Sequence, residues 1–593
     1  MRRVAGWTVV LALLATSACS SDPADDRDEA ASPDSSESTP PPPPTPAEKL
    51  GLADGWGPTQ DQLDAAARRV RSMSVPDLAG QVIVASYRGT QAPVSMVRSL
   101  HLGGVIVFAD NVTSAAQITA QNKRLRARVG RPLLVSVDQE GGTVARVGGE
   151  ATSFPAFMST GAAADSDLTR ASYAASGAEL RSFGFSMDNA PDADVTLGPQ
   201  DPVIGSRSAS SDPAVVAEQA VAAAQGYLDA GVLPVLKHFP GHGSVTTDSH
   251  RALPVQSASL KQLRRRDFLP FVAGVEASLP AIMVGHIAVR DVSPRLPASL
   301  SRPLVTGVLR RELGFDGVVI TDALEMGAVA QRFNSAEAAV RALTAGVDVV
   351  LMPPDPAAAR RGIIRAVRSG SLERRRLEQA AARMLAVLAH QRTVAEQAAP
   401  APAAQARQAS RRLSASAVTM VAGSCRPQRL VGGAVSPTGD PEAVSAFAGA
   451  AGAAGLDVLL RRAAPSHLLA AEARPTRKKK EKPKDYRARV RAWQAREAAR
   501  RADLASWEAA ENARLAQGTS VALNGFGSGT VSGEITVATD TPYVLGRVSS
   551  PVRIATYGET AGAMSVLVDV LLGRAKAPGR LPVAVPGAPR RGC

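Results

Sequence analysis

Three of the chain's seven histidines, one lysine and one aspartate fall within Lys237-His238-Phe239-Pro240-Gly241-His242-Gly243-Ser244-Val245-Thr246-Thr247-Asp248-Ser249-His250. Asp248 and His250 are two residues apart. In a bent loop, a carboxylate at that spacing can hold one imidazole nitrogen and leave the other facing a substrate. Such a dyad fixes the tautomer and raises basicity, which suits proton transfer. The alternative is a solvated loop with scattered polar residues.

Two further segments carry carboxylates where an apolar run ends. Gly317-Val318-Val319-Ile320-Thr321-Asp322 delivers Asp322, which suits a nucleophile or electrostatic stabiliser; a helix-capping aspartate is the other reading. Val137-Asp138-Gln139-Glu140-Gly141-Gly142-Thr143-Val144-Ala145-Arg146 places Asp138 before a Gly-Gly turn and Arg146. That pairing could capture vicinal hydroxyls or form a structural ion pair.

These groups need a scaffold that gathers strand ends. Eight β-rich runs, Val82–Ala85, Val105–Phe108, Leu133–Asp138, Phe185–Val195, Pro234–Phe239, Ala281–His286, Gly317–Asp322 and Asp348–Met352, alternate with helical stretches such as 115–129, 214–230 and 336–345. Several runs are nearly continuous hydrophobics, as strands buried on both faces should be. The pattern predicts an α/β fold: a TIM-type (β/α)8 barrel over 50–395 with its site at the C-terminal face of the strands. Asp138, Asp194, Lys237, His238, His286 and Asp322 all fall at or near strand ends. A linker is expected over 396–412, then a smaller α/β sandwich domain over 413–593. Its expected strands are 415–421, 519–523, 543–545 and 554–557, with a helix over 561–572.

Together the motifs resemble glycoside hydrolase family 3 in its β-N-acetylglucosaminidase branch. KHFPGHG…DSH is the branch marker; ITDAL-M, VDQEGG…R and MSVPDLAGQ (73–81) match the wider family. The resemblance covers about 50–388 well and the second domain loosely, through ATYG (555–558) and GRLPV (579–583). It implies Asp322 as nucleophile and His250, oriented by Asp248, as acid/base in place of the usual second carboxylate. It implies that Asp138, Arg146, Lys237 and His238 hold sugar hydroxyls. Arg207, in Ile204-Gly205-Ser206-Arg207-Ser208, would join them, although Ser206 stands where the family commonly has a larger polar residue. Asp194 and His286 are expected to be structural and His242 to order its loop. The implied activity is retaining release of terminal GlcNAc from muropeptides or chitobiose-like saccharides, without cofactor or metal. All catalytic groups then lie in the barrel, and the second domain is assigned a structural or accessory role.

Four alternatives stand beside this. A zinc site of His238, His242, His250 and Asp248 is disfavoured because Pro240 and Gly241 break the helix that His-x3-His spacing needs. A β-glucosidase or β-xylosidase of the family would take its acid/base from the C-terminal region and lack the histidine loop. A phosphorylase would use phosphate as acceptor, since a neutral imidazole repels anions less than a carboxylate. A non-catalytic wall-binding lipoprotein would keep the scaffold without turnover.

The rest of the chain bears on location and partners. Met1-Arg2-Arg3, the apolar run 9–15 and Thr16-Ser17-Ala18-Cys19 predict an export signal (1–18) and a lipidated Cys19, anchoring the protein outside the cell membrane. Residues 19–49, with prolines at 40–44, read as a tether. Export permits a disulfide, and Cys425 and Cys593 are expected to pair; two unpaired thiols are the alternative. Of the net charge of +14, +10 sits in 474–501, which holds 13 Lys/Arg against 3 Asp/Glu. This basic insertion, 474–515 with its helical part, reads as a solvated arm with an aromatic seam of Tyr486, Trp493 and Trp507. The sharper reading is contact with an anionic membrane or wall polymer. Export argues against nucleic acid, and a monomer is expected.

Overall fold

The computed structural model describes residues 43–400 and 403–588. The expected signal, Cys19 and Cys593 lie outside these residues, as does the tether up to 42. Cys425 is disulfide-bonded. The tether was expected to reach 49, but Thr45 caps a short helix, Pro46–Leu50, whose Ala47 and Leu50 are buried. The compact body begins there.

Eight parallel strands close a barrel. In order they are Ile83–Ala85, Gly104–Val107, Leu134–Val137, Met187–Asp188, Leu233–Pro234 continuing as Leu236–Phe239, Ala281–Val284, Val318–Thr321 and Val350–Leu351. The fifth joins the fourth through its first half and the sixth through its second. The eighth pairs with the first, and a parallel bridge from Ile320 to Val349 ties it to the seventh. A helix follows each strand, among them Ala115–Val129, Ser166–Ser182, Pro213–Asp229 and Ser335–Ala345. Ser114, Asp165, Asp212 and Asn334 cap them by accepting backbone N–H groups that the first turn leaves free. The strands are buried throughout, matching their lack of polar alternation.

The fourth strand is much shorter than the run 185–195 suggested. It ends at Asp188, and Pro191 soon follows, which has no N–H to continue a ladder. Asp192 and Asp194 therefore lie on an irregular segment. Asp192 bridges Lys237, and Ala193 N–H donates to the Lys237 carbonyl at 2.6 Å.

The stretch 396–412 is not an extended linker. Helix Arg374–Gln397 runs to its start, and helix Ala403–Ala417 takes up most of the remainder. The second domain is a six-stranded sheet in the order Thr419–Ala422, Val552–Ala555, Ile535–Ala538, Thr519–Asn524, Ala434–Gly439, Asp457–Val458. Only the first pair is antiparallel. Residues 543–545, expected as strand, form a helical turn, Pro542–Gly546, opened by the fixed φ of Pro542. Helices Pro441–Ala453 and Ala561–Leu571 cover one face of the sheet. On the other side Met158 and Ala162 of the barrel pack with Ala538, Tyr557, Leu581 and Val583. Backbone bonds fasten the two domains: Ala156 N–H to Tyr557 O at 2.8 Å and Arg580 N–H to Ala162 O at 2.9 Å.

The basic insertion is an arm built on one long helix, Pro483–Leu515. The segment before it is held along the helix by Arg489–Glu481 (2.7 Å) and Arg496–Glu472 (2.9 Å), and Trp493 Nε1 donates to Glu472 O. Arg462 and Arg514 clamp Glu511 at the base. Tyr486, Trp493 and Trp507 are half-buried, while Lys478, Lys479, Lys480, Lys482 and Lys484 stay exposed.

Candidate active site

The C-terminal strand ends open on a cavity of about 320 Å³ lined by Asp138, Arg146, Arg207, Lys237, His238, His250 and Asp322. Asp248 stands behind His250 and lines an adjoining cavity. The structure thus brings every catalytic and sugar-binding residue expected from sequence to one mouth.

Asp322 follows the seventh strand. Its N–H donates to Val284 O at 3.0 Å, and its Oδ1 accepts the Ala323 N–H at 2.8 Å. It caps no helix: the next one, Gly327–Ala330, starts after Met326. Burial opposes its ionisation. The fields of His238, His286 and Lys237 and the Ala323 N–H outweigh that, so the carboxyl titrates below its ordinary value. A buried carboxylate kept ionised beside an open cavity can attack an electrophilic carbon. His286 supports it from below: Nδ1 meets Ser299 Oγ at 2.7 Å and Nε2 meets Ala323 O at 2.9 Å.

The dyad is formed. His250 Nδ1 lies 2.8 Å from Asp248 Oδ1, which also accepts the His250 N–H at 2.9 Å. Burial raises the Asp248 carboxyl, but the bonds and charge of His250 lower it further, so it stays anionic. With Nδ1 so engaged, Nε2 is the nitrogen left for a reacting group, and the imidazole is 65% exposed. His242, on the same loop, is buried. Its Nε2 meets Ser249 Oγ at 2.8 Å, and burial with the nearby His238 pushes its pKa down to about 4. It therefore stands neutral, a prop between the fifth strand and the dyad.

Carboxylates hold the cationic groups of this cavity, among them Glu140, which sequence reasoning left without a role. Glu140 receives Arg207 through two bonds of 2.8 Å and Lys237 Nζ at 2.5 Å. Burial raises its carboxyl, but these two cations bring it far below the ordinary range. Asp138 lies 3.7 Å from Lys237 Nζ. Asp194 Oδ2 meets His238 Nδ1 at 2.7 Å, so the other His238 nitrogen can serve a ligand. Arg146 lies with its guanidinium 5.7 Å from the Phe108 ring centroid, and its buried Nε has no partner, a donor ready for a hydroxyl. Glu140 had one visible signal, its place between two expected site residues in VDQEGG. Asp192 had none.

Asp192, Asp194 and His238 bring three potential ligand atoms within 4.8 Å of one another. Asp194 is already committed to His238 and to the His242 N–H, and burial beside Asp194 raises the Asp192 carboxyl well above its ordinary value. That chemistry fits a hydrogen-bonded strut better than a cation site.

The second domain is more than an accessory in position. The adjoining cavity, about 540 Å³, is bordered by Arg207, Asp248 and His250 from the barrel and by Asn524, Phe526, Asp540 and Tyr543 from the second domain. Motif reasoning missed this because 524–547 carries no recognisable chemical pattern.

Comparison with known proteins agrees with this geometry. Residues 74–387 match the glycosyl hydrolase family 3 N-terminal domain. Beta-hexosaminidase A of Pseudoalteromonas piscicida is 38% identical over 279 residues, 44% of this chain and 47% of that protein, so the match spans about half that relative's length. Beta-hexosaminidase LpqI of Mycobacterium tuberculosis H37Rv is 39% identical over 295 residues, 47% of this chain and 73% of that one. A family 3 β-N-acetylglucosaminidase structure from Paenibacillus sp. FPU-7 superposes with a TM-score of 0.71 at 27% identity, covering 87% of this chain and 99% of its own. The chain belongs to glycoside hydrolase family 3, in its β-N-acetylhexosaminidase branch.

Proposed function

We propose that the protein is a retaining exo-β-N-acetylhexosaminidase that removes a non-reducing terminal β-linked GlcNAc. The observation that carries this is that Asp322 and the imidazole of His250 border one cavity, which Asp138, Arg146, Arg207, Lys237 and His238 also line. Asp322 attacks the anomeric carbon while His250 protonates the departing oxygen. The same imidazole then takes a proton from water, which releases the sugar from Asp322 with its configuration retained. Asp248 holds the tautomer. Asp138, Arg146, Arg207, Lys237 and His238 grip the sugar.

NMR of products released from a GlcNAc disaccharide tests this. β-GlcNAc as the first anomer supports it; α-GlcNAc, or no turnover, overturns it. Formation of a sugar 1-phosphate in phosphate buffer would make the enzyme a phosphorylase.

The substrate reading extends to wall fragments in which GlcNAc is linked to a muramic or anhydromuramic residue. Its support is the export and lipidation pattern ending at Cys19 and the exposed lysines of the arm, which suit an anionic wall or membrane surface. Globomycin-sensitive processing of the full chain in a native host would test the anchor. Monomeric behaviour is tested by light scattering.

A further inference from the structure

We propose that the cavity between the barrel and the second domain is the leaving-group subsite, and that Phe526 is the platform on which the departing sugar ring stacks. This rests on the hexosaminidase reading and adds to it a role for the second domain in choosing the substrate.

The placement follows from what a proton donor must do. His250 borders both the 320 Å³ cavity that holds Asp322 and the 540 Å³ cavity beyond it. Asp322 is confined to the first, so the sugar undergoing attack sits there. The glycosidic oxygen must lie within hydrogen-bond reach of the imidazole. The group attached to that oxygen then extends past His250, into the second cavity, whose volume is typical of a small-ligand site.

The second domain supplies an aromatic wall there. Phe526 is 68% exposed, the most exposed large hydrophobic side chain among the described residues. Phenylalanine is ordinarily buried, and an exposed ring facing a cavity is what an apolar sugar face could cover. The loop that bears it is closed at its base: Asn524 Oδ1 accepts the Val531 N–H at 2.9 Å and its Nδ2 donates to Val531 O at 3.1 Å. Gly527, with φ of +69°, makes the turn. The two domains are tied at this cavity by the Ser206 hydroxyl donating to Asp540. The loop that bears the platform is therefore closed on itself, and its domain is hydrogen-bonded to the barrel at this cavity.

The test compares two GlcNAc glycosides with alkoxide leaving groups, chitobiose and methyl β-N-acetylglucosaminide, which differ in whether the leaving group is a sugar. Both need the same acid. Phe526→Ala should lower kcat/KM about 10-fold on chitobiose and leave the methyl glycoside within about 2-fold. Phe526→Trp should restore chitobiose turnover to within about 2-fold of wild type. An equal fall on both substrates, or no fall on chitobiose, overturns the proposal. Wild-type enzyme that turns over neither would reject the hexosaminidase reading itself, and the subsite with it.

Discussion

The N–H of Gly327 donates to the carbonyl of His250 at 3.0 Å, and the next residue, Ala328, does the same to Ser249 at 3.1 Å. The loop that carries the proposed acid/base is thereby stitched to the segment following the proposed nucleophile. A Cβ at 327 would lie 2.7 Å from Arg251 O and 2.8 Å from His250 O, so glycine is required by close approach. Gly327→Ala should push the dyad away from the cavity. We expect kcat on chitobiose to fall about 10- to 100-fold, with a smaller loss on a nitrophenyl glycoside that needs less acid help. Steady-state kinetics on the two substrates checks this.

The two reacting groups should fail in different ways. Asp322→Ala should lose on the order of 10³-fold or more in kcat on every substrate, since Glu140, a buried carboxylate on the same cavity, is held by Arg207 and Lys237 and is not free to attack. His250→Ala should lose about 10²- to 10⁴-fold on chitobiose and much less on nitrophenyl glycosides. Equal loss across leaving groups for His250→Ala would remove the acid/base assignment.

Asp188 gives a stability prediction with a definite sign. Burial, only partly offset by the Gln139 N–H and Lys237, raises its pKa from 3.8 to about 7. Through that window the folded protein keeps a proton that the unfolded chain has released. Stability contributed by this group is therefore lost as pH rises from about 4 to about 7. Asp188→Asn removes the titration, so its melting temperature should fall less between about pH 5 and pH 8 than that of wild type. Parallel melting curves would refute this.

At the opposite end of the barrel, Asp348 is fully buried and receives Arg310, Arg376 (2.7 Å) and Arg383 (3.4 Å). Burial alone would raise its carboxyl, but the three guanidiniums lower it. Asp348→Ala would leave three buried cations without their anion, a loss of about 3–5 kcal/mol. Urea denaturation measures it, and an unchanged midpoint would show that backbone carbonyls suffice to hold the arginines.

The sequence by itself determined the barrel and its chemistry. Runs such as 281–286 and 317–322 are apolar because both faces of a parallel sheet are buried, and that pattern needs no partner to be read. Asp248 and His250 meet because two residues of one loop cannot separate far. The tertiary structure decided what depends on approach between distant segments. Glu140 gains its role only when Arg207 arrives from the helical turn Gly205–Arg207 and Lys237 from the fifth strand. The strand expected over 185–195 stops at Asp188, where local β-propensity gives way to contacts with the fifth strand. Phe526, 276 residues after His250 in sequence, reaches the site only through the packing of the second domain. A motif records chemistry carried on one short segment; a wall built from two domains leaves no pattern along the chain.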